Sequence, residues 1–457
     1  MRPVLTLLCS FFLFLLTPSP AYADGGTFAP CADRSDFPEL RGTECLVAKA
    51  ALHPGAKGAQ GEVELFVRKF PVGDRARRRG DVWLIAGGPG EPGASLYPLI
   101  HVFRRAFPQH DLIVPDHRGT GRSTRLCPEQ EAMDGLSGSS LADAEWGACI
   151  GFLHADAPRA HAFNITNAAR DLSGLIARHG GDGESLVYSV SYGTQLALRM
   201  MQVAPPELDG LILDGLVPPE GATPWELSRR TALVDRVGRA ILSAGQERAY
   251  RRLLTRADAP WHSTVPGGDL RRFMGSLLNF PRLRARIPML VRTLSRGDTR
   301  LLARTRTDLE ATFAAMLKFP HSSPSIPLVM LISASENNSR PGLTAETVAD
   351  EARDALFTSP LPGFLVGSPM PLYKADRWLG QSPARLPRTL IIHGTLDPNT
   401  AYEGAIAQAK MLGRAGKVSF VSVDRGAHLL PLVAPDCFVR SVSLFVSHRT
   451  PAKRCRT

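Results

Sequence analysis

The sequence predicts an α/β protein: a mainly parallel sheet interrupted by one long helical insertion. Three observations predict it. Short apolar runs recur along the chain, stretches of helical periodicity separate them, and the alternation stops after Pro218-Pro219 and resumes at Pro387. The composition agrees. Over 457 residues, 44% apolar and 21% charged side chains supply a sizeable core and exclude wholesale disorder. No internal stretch approaches the ~20 apolar residues of a membrane span, and no fixed-period repeat marks a solenoid or propeller.

The first element in chain order is a leader. Arg2 precedes the apolar stretch Val4–Leu16, and Ala21-Tyr22-Ala23 closes it, which reads as a secretory signal peptide over residues 1–23. The protein is therefore expected to be exported, periplasmic or secreted, with no transmembrane segment in the mature chain. Cys9 follows Leu8, where a lipoprotein signal needs a small residue, so no lipid anchor is expected. The other six cysteines form three couples close in sequence: Cys31 with Cys45, Cys127 with Cys149, and Cys437 with Cys455. Export permits oxidation, so three local disulfides are predicted. No C-x-x-C pair accompanies them, so no zinc site is expected.

The strands follow. Val63–Val67 alternates apolar and polar residues. Val82–Ala86, Leu112–Val114, Leu186–Tyr188, Leu211–Leu213 and Leu390–Ile392 are short apolar runs of the kind buried on both faces of a parallel sheet. Val418–Val423 alternates and belongs toward an edge. Arg75, Arg77, Arg78 and Arg79 lie between two strand candidates and read as a solvated turn. The formal charge is +11, but no nucleic-acid-binding module accompanies it, so no nucleic-acid partner is expected.

Helices fill the intervals. Asn164–His179 keeps helical spacing up to Gly180-Gly181, and Leu196, Met200 and Val203 mark one face of a helix that ends before Pro205-Pro206. Thr223-Pro-Trp-Glu226 has the form of a capping box opening a long amphipathic stretch to about Ser243. The chain thus divides into the leader, 1–23; a core, first part, 24–219; a helical cap insertion, 220–386; and the second part of the core, 387–457.

The sharpest chemical signal is Ser189-Val190-Ser191-Tyr192-Gly193, where an apolar strand runs straight into a helix. A nucleophile elbow needs small residues two before and two after its serine; Ser189 and Gly193 fill those positions and Ser191 is the nucleophile candidate. A serine needs a base, and the base an orienting acid, in the chain order Ser, Asp/Glu, His. Asp397 and His428 each follow a predicted strand, at the carboxyl ends where open α/β sheets place their sites. Asp214 also ends a strand, but Asp-Gly there reads as a turn, and His393 reads as structural. Backbone N–H groups for an oxyanion are expected from Tyr192 and from Gly88 in Gly87-Gly-Pro-Gly90. The phosphate-binding pattern Gly-x-x-x-x-Gly-Lys-Ser/Thr is absent.

Gly87–Gly90, Asp116-His-Arg-Gly-Thr-Gly-Arg-Ser123, Ser189–Gly193, Asp397-Pro398 and Ala427-His428 occur in this order. In these motifs the chain resembles the proline iminopeptidase and tripeptidyl aminopeptidase group of α/β-hydrolases, nearest the secreted tripeptidyl aminopeptidase-like branch, across roughly 60–220 and 385–455. It departs in carrying Ser189 for the first elbow glycine and His117 after Asp116.

The resemblance implies an α/β-hydrolase fold with a sheet of the eight-stranded type and a helical cap. It also implies an exported serine exopeptidase acting near free peptide N-termini with no metal or cofactor, Ser191 as nucleophile, Asp397 as acid, His428 as base, and Gly88 and Tyr192 as oxyanion donors. Arg118 matches a bracing loop. A carboxylate from the cap, Glu336, is expected to read the substrate ammonium, with Glu220, at the entrance to the cap, and Glu91, in the oxyanion loop, as alternatives. The rival readings are a small-molecule ester or amide hydrolase with the same triad, and a non-catalytic binding protein on the same fold.

Overall fold

The computed structural model describes residues 26–33, 37–55, 61–132, 141–256 and 258–456. The leader, 1–23, lies outside these residues. Within them, each of the seven predicted strand segments falls in a strand, and three further strands join the sheet. In chain order the strands are β1 (Ala29–Pro30), β2 (Glu44–Ala51), β3 (Glu62–Phe70), β4 (Gly80–Ile85), β5 (His110–Pro115), β6 (Glu184–Val190), β7 (Gly210–Asp214), β8 (Thr389–Gly394), β9 (Val418–Asp424) and β10 (Arg454–Arg456). Their spatial order is β1-β2-β3-β5-β4-β6-β7-β8-β9-β10. The pairs β1–β2, β2–β3 and β3–β5 are antiparallel. Every neighbouring pair from β5 to β10 is parallel.

The apolar runs are explained by burial on both faces. Successive residues of the central strands point to opposite sides. Trp83, Ile85, Val187, Leu211 and Ile391 join one apolar cluster, and Val82, Leu84, Leu186, Ile212 and Ile392 join the other. On the first face lie α1 (Ile165–His179) and α2 (Tyr192–Val203). The side chain of Asn164 caps α1 by accepting the Asn167 N–H at 2.8 Å. β9 is alternately buried and half-exposed, with only the short β10 beyond it.

Between Asp214 and Thr389 the described residues hold helices and no strand, among them α3 (Arg230–Arg239) and α4 (Ile326–Ser335). This insertion has its own apolar cluster around Tyr250, Leu270, Met274, Leu278 and Phe357. Its entrance differs from the expected capping box. Thr223–Trp225 is a single 3₁₀ turn with no side-chain cap. The Glu226 carboxylate instead accepts from Ser228 Oγ and the Ser339 N–H, both at 2.5 Å, tying the entrance to a distant loop.

The arginine-rich loop also differs from a freely solvated turn. Arg78 pairs with Asp81 and, at 2.8 Å, with Asp111, while Arg79 pairs with Glu184 at 2.5 Å. Their partners lie in β4, β5 and β6. The disulfides join Cys31–Cys45, Cys127–Cys149 and Cys437–Cys455, spanning 14, 22 and 18 positions. The first holds the segment after β1 to β2, and the last holds the helix Pro435–Val446 to β10.

Candidate active site

The β4–β6 register pairs Ile85 with Ser189, so the loop after β4 and the turn after β6 emerge side by side. Ser191 sits at that turn with φ 57° and ψ −128°, a conformation that costs a non-glycine residue about 1–3 kcal/mol. Two connections hold it there. The Ser191 N–H donates to the Asp214 carbonyl at 3.0 Å, and the Ser191 carbonyl accepts from the Thr194 N–H at 2.8 Å and Thr194 Oγ1 at 2.7 Å. Gly193 is required because a Cβ there would lie 2.4 Å from the Ala86 carbonyl oxygen. Tyr192 opens α2, so its N–H belongs to the turn with no intrahelical acceptor, at the positive end of the helix dipole. Gly88 stands at φ 114° in the adjoining loop. A Cβ at Gly87 would lie 3.0 Å from Ser191 Cβ and 3.2 Å from a Glu91 oxygen, so the loop, Ser191 and Glu91 adjoin.

Asp397 and His428 meet as the motifs predict: His428 Nδ1 lies 2.7 Å from Asp397 Oδ2. Asp397 also accepts from the Asn399 N–H (2.7 Å), the Thr400 N–H (2.9 Å) and Thr400 Oγ1 (2.9 Å). Burial opposes its charge, but the charge and hydrogen bond of His428, with His393 and the Thr400 N–H, hold its pKa well below the usual carboxylate range. For His428, burial favours the neutral ring, yet the charge and hydrogen bond of Asp397, assisted by Asp214, raise the pKa above the ordinary 6.5. With Nδ1–H donated to Asp397, the Nε2 lone pair is left to accept a proton. Asp214 makes neither a turn nor a histidine partner. Buried at the end of β7, it accepts from Tyr188 Oη (2.8 Å) and the Leu430 N–H (2.9 Å), fixing the segment after His428. Burial raises its pKa to about 7. His393 is buried, with Nε2 3.1 Å from the Thr400 carbonyl oxygen.

Two adjoining cavities meet at Ser191. One, of about 150 Å³, is lined by Gly88, Ser191, Tyr192, Glu220 and Glu336. The other, of about 310 Å³, is lined by Gly88, Glu91, Ser191 and His428. Burial raises the pKa of Glu91, with His428 opposing.

The other two predicted amine readers converge on one buried cation absent from the sequence reading. Arg199 on α2 reaches both Glu220 oxygens at 3.1 Å, Glu336 Oε2 at 3.4 Å and Asp376 at 3.5 Å. Glu220 also accepts from Gln195 Nε2 (2.8 Å) and the Gly380 N–H (2.7 Å). Glu336 accepts from Tyr373 Oη (2.8 Å) and the Ile165 N–H (3.2 Å). Burial raises its pKa, with Arg199 opposing. In this cluster three carboxylates face one guanidinium.

Arg118 is buried in the segment after β5. It donates to Asp171 at 2.6 and 2.8 Å and to the Ala51, Leu52 and Ala162 carbonyls. Among the described residues no group of three or more His, Cys, Asp or Glu is disposed to hold a metal ion, and no helix is long and apolar enough to cross a membrane.

Residues 82–257, which hold the elbow and the strands from β5 to β7, match the family model described as alpha/beta hydrolase fold; the acid–base pair after β8 and β9 lies outside the matched residues, and the sheet order agrees with that fold. The chain has the α/β-hydrolase fold. It is 30% identical over 164 residues to "Putative hydrolase YuaR" of Escherichia coli (strain K12), a match spanning 34% of this chain and 31% of that protein. Similar solved structures include a thermophilic esterase from Thermogutta terrifontis, at 13% identity and TM-score 0.39, covering 88% of this chain and 98% of that one. Another is the juvenile hormone epoxide hydrolase of the silkworm Bombyx mori, at 12% identity and TM-score 0.41, covering 92% and 81%.

Proposed function

We propose that this α/β-hydrolase-fold protein is an exported serine exopeptidase that cleaves near the free N-terminus of short peptides. In this reading Ser191 attacks the scissile carbonyl while His428 Nε2 takes its proton. The Tyr192 and Gly88 N–H groups stabilise the oxyanion, and Asp397 holds the imidazole and stabilises its charged form. His428 then protonates the departing amine, and water enters by the same route to release the acyl group.

The observation that supports an N-terminal preference is the excess of carboxylates, Glu220, Glu336 and Asp376, around the single guanidinium of Arg199, with both glutamates in the cavity wall beside Ser191. In this reading a substrate ammonium offsets that excess. The three disulfides support the exported reading. The decisive experiment gives the mature protein a peptide mixture and its N-acetylated counterpart and reads the products by mass. Release from free peptides alone is expected; equal release from both would leave the rival reading, an ester or amide hydrolase indifferent to the α-amine.

A further inference from the structure

A second charged group faces the reaction centre from the opposite sign. Arg230, the first residue of α3, lines the cavity that holds Glu220 and Glu336, the cavity that holds His428, and a third of about 460 Å³. Arg230 and Asn399 are the two residues common to all three, so they stand where the three cavities adjoin. The only hydrogen bond of the Arg230 guanidinium among the described residues runs to Asn399 Oδ1, at 3.0 Å. Asn399 in turn donates through Nδ2 to Asn279 Oδ1 at 2.7 Å, and Asn279 lines the second and third cavities.

The contrast with the buried arginines is informative. Arg68, Arg118 and Arg199 each have a carboxylate partner. Arg284 is satisfied by the Leu396 and Arg425 carbonyls. Arg230 has one amide oxygen for a forked donor that fits a carboxylate in two places. The carboxylate whose charge acts on it is Asp397, already committed to four donors. The outer cavity continues the same sign with Arg272 and Arg306, the latter 3.4 Å from Glu310.

Direction follows from the chemistry. The general acid must reach the leaving group, so the departing part of the substrate occupies the cavity of His428, and the acyl part that of Tyr192, Glu220 and Glu336. We propose that Arg230, held by Asn399, binds a carboxylate on the leaving portion of the substrate, so that the preferred leaving groups are acidic. This deepens the exopeptidase reading and rests on it for the peptide substrate. A peptide offers that carboxylate either at its C-terminus or on an acidic side chain just beyond the scissile bond.

The test compares substrates within pairs, so a general loss of activity cancels. One pair is the acetyl esters of meta-hydroxybenzoate and meta-hydroxybenzamide, which carry no amine. The others are a tetrapeptide ending in glycine, as free acid and as C-terminal amide, and the same peptide ending in aspartate amide. The wild type should favour the carboxylated leaving group by roughly 10- to 100-fold in kcat/KM. Arg230→Gln should bring the ratio near one, and Arg230→Lys should restore part of it. Equal preference for the free acid and the aspartate amide assigns any carboxylate; preference for the free acid alone assigns the C-terminus. If Arg230→Gln does not fold, inhibition of the wild type by meta-hydroxybenzoate but not by meta-hydroxybenzamide carries the same information.

A wild type that treats the two esters alike and is not inhibited by the carboxylate overturns the proposal, as does a ratio that survives Arg230→Gln. Discrimination within the ester pair, together with equal cleavage of free and N-acetylated peptides, defeats the N-terminal reading and leaves this one standing.

Discussion

Glu336→Gln tests the reading of the amine most directly, because the surroundings of this side chain separate its charge from its shape. The Oε1 acceptor used by Tyr373 Oη and the Ile165 N–H survives in glutamine, and Arg199 keeps both oxygens of Glu220. The loss is therefore chiefly one negative charge beside the cavity. Three carboxylates against one guanidinium become two, which halves the negative excess of the cluster. An ammonium about 4 Å from the lost charge would feel about 4 kcal/mol at an effective dielectric of 20. Desolvation consumes part of this, and charged hydrogen bonds typically retain about 1.5–3 kcal/mol. KM for free-amine peptides should thus rise by about 10- to 150-fold, with little change in kcat. A small activated acetate ester, which carries no amine, should be spared.

The pH dependence provides a second readout. Burial raises the Glu336 pKa, so the side chain loses its charge as pH falls through that value, and peptide KM should worsen on the acid side. In the glutamine variant that dependence should vanish. Steady-state kinetics on the matched substrates decide it. An equal loss on peptide and ester, or an unchanged KM for free peptides, would mean that Glu336 only holds the insertion against α1 and α2.

Other outcomes are expected of the core. Ser191→Ala should fold normally and lose about 10⁶ in kcat, whereas Ser189→Ala should stay active. The Ser189 hydroxyl is buried without a partner, so its removal should leave stability level or raise it by up to about 1 kcal/mol in urea unfolding. A dead Ser189→Ala beside a working Ser191→Ala would reverse the elbow register. Asp397→Asn should lower kcat by about 10⁴. Because the Asp397 charge lifts His428, the wild-type kcat/KM should rise with pH through a pKa above 6.5, and in Asp397→Asn this limb should move to lower pH. An unmoved limb would mean that another group sets it. Replacing Cys437 and Cys455 by serine should cost about 3 kcal/mol of stability with the triad's kinetics retained, since the bridge joins a helix to the edge strand. Unchanged denaturation midpoints would count against that bridge.

The parts legible in the sequence share a physical trait: each is set by neighbours a few residues away. Ser191 is marked by Ser189 and Gly193, and Asp397 and His428 by the apolar strands that precede them. The strand β2 escaped because its inward residues are Leu46, Ala48 and Ala50, and alanine carries little strand signal. The short β1 and β10 exist through pairing with β2 and β9 rather than through their own pattern. Arg199 escaped for a stronger reason. Within Leu-Arg-Met-Met it reads as the polar residue of an ordinary helix, and its partners Glu336 and Asp376 come from the far end of the insertion. Arg230 likewise looks like one more surface arginine until Asn399, from the loop after β8, is brought against it.

On the proposed reading, the placement of Arg199 and Arg230 would let one sheet keep its chemistry while the insertion selects the substrate. The elbow is locked by the β6–β7 register and by hydrogen bonds from Asp214 and Thr194, and the acid–base pair by the loops after β8 and β9, none of which belongs to the insertion. The insertion contributes charges instead. Glu220 at its entrance, and Glu336 and Asp376 farther along it, gather on Arg199, which stands on the helix that begins beside Ser191. The negative excess is therefore referenced to Ser191 through one rigid element, while Arg230 supplies positive charge where the cavity of His428 adjoins that of Glu220 and Glu336. A short peptide carries the complementary asymmetry, ammonium first and carboxylate last. Such a pair of fields orients the chain before any side chain is recognised, so that reversing one of them should weaken the correct orientation and favour the wrong one together.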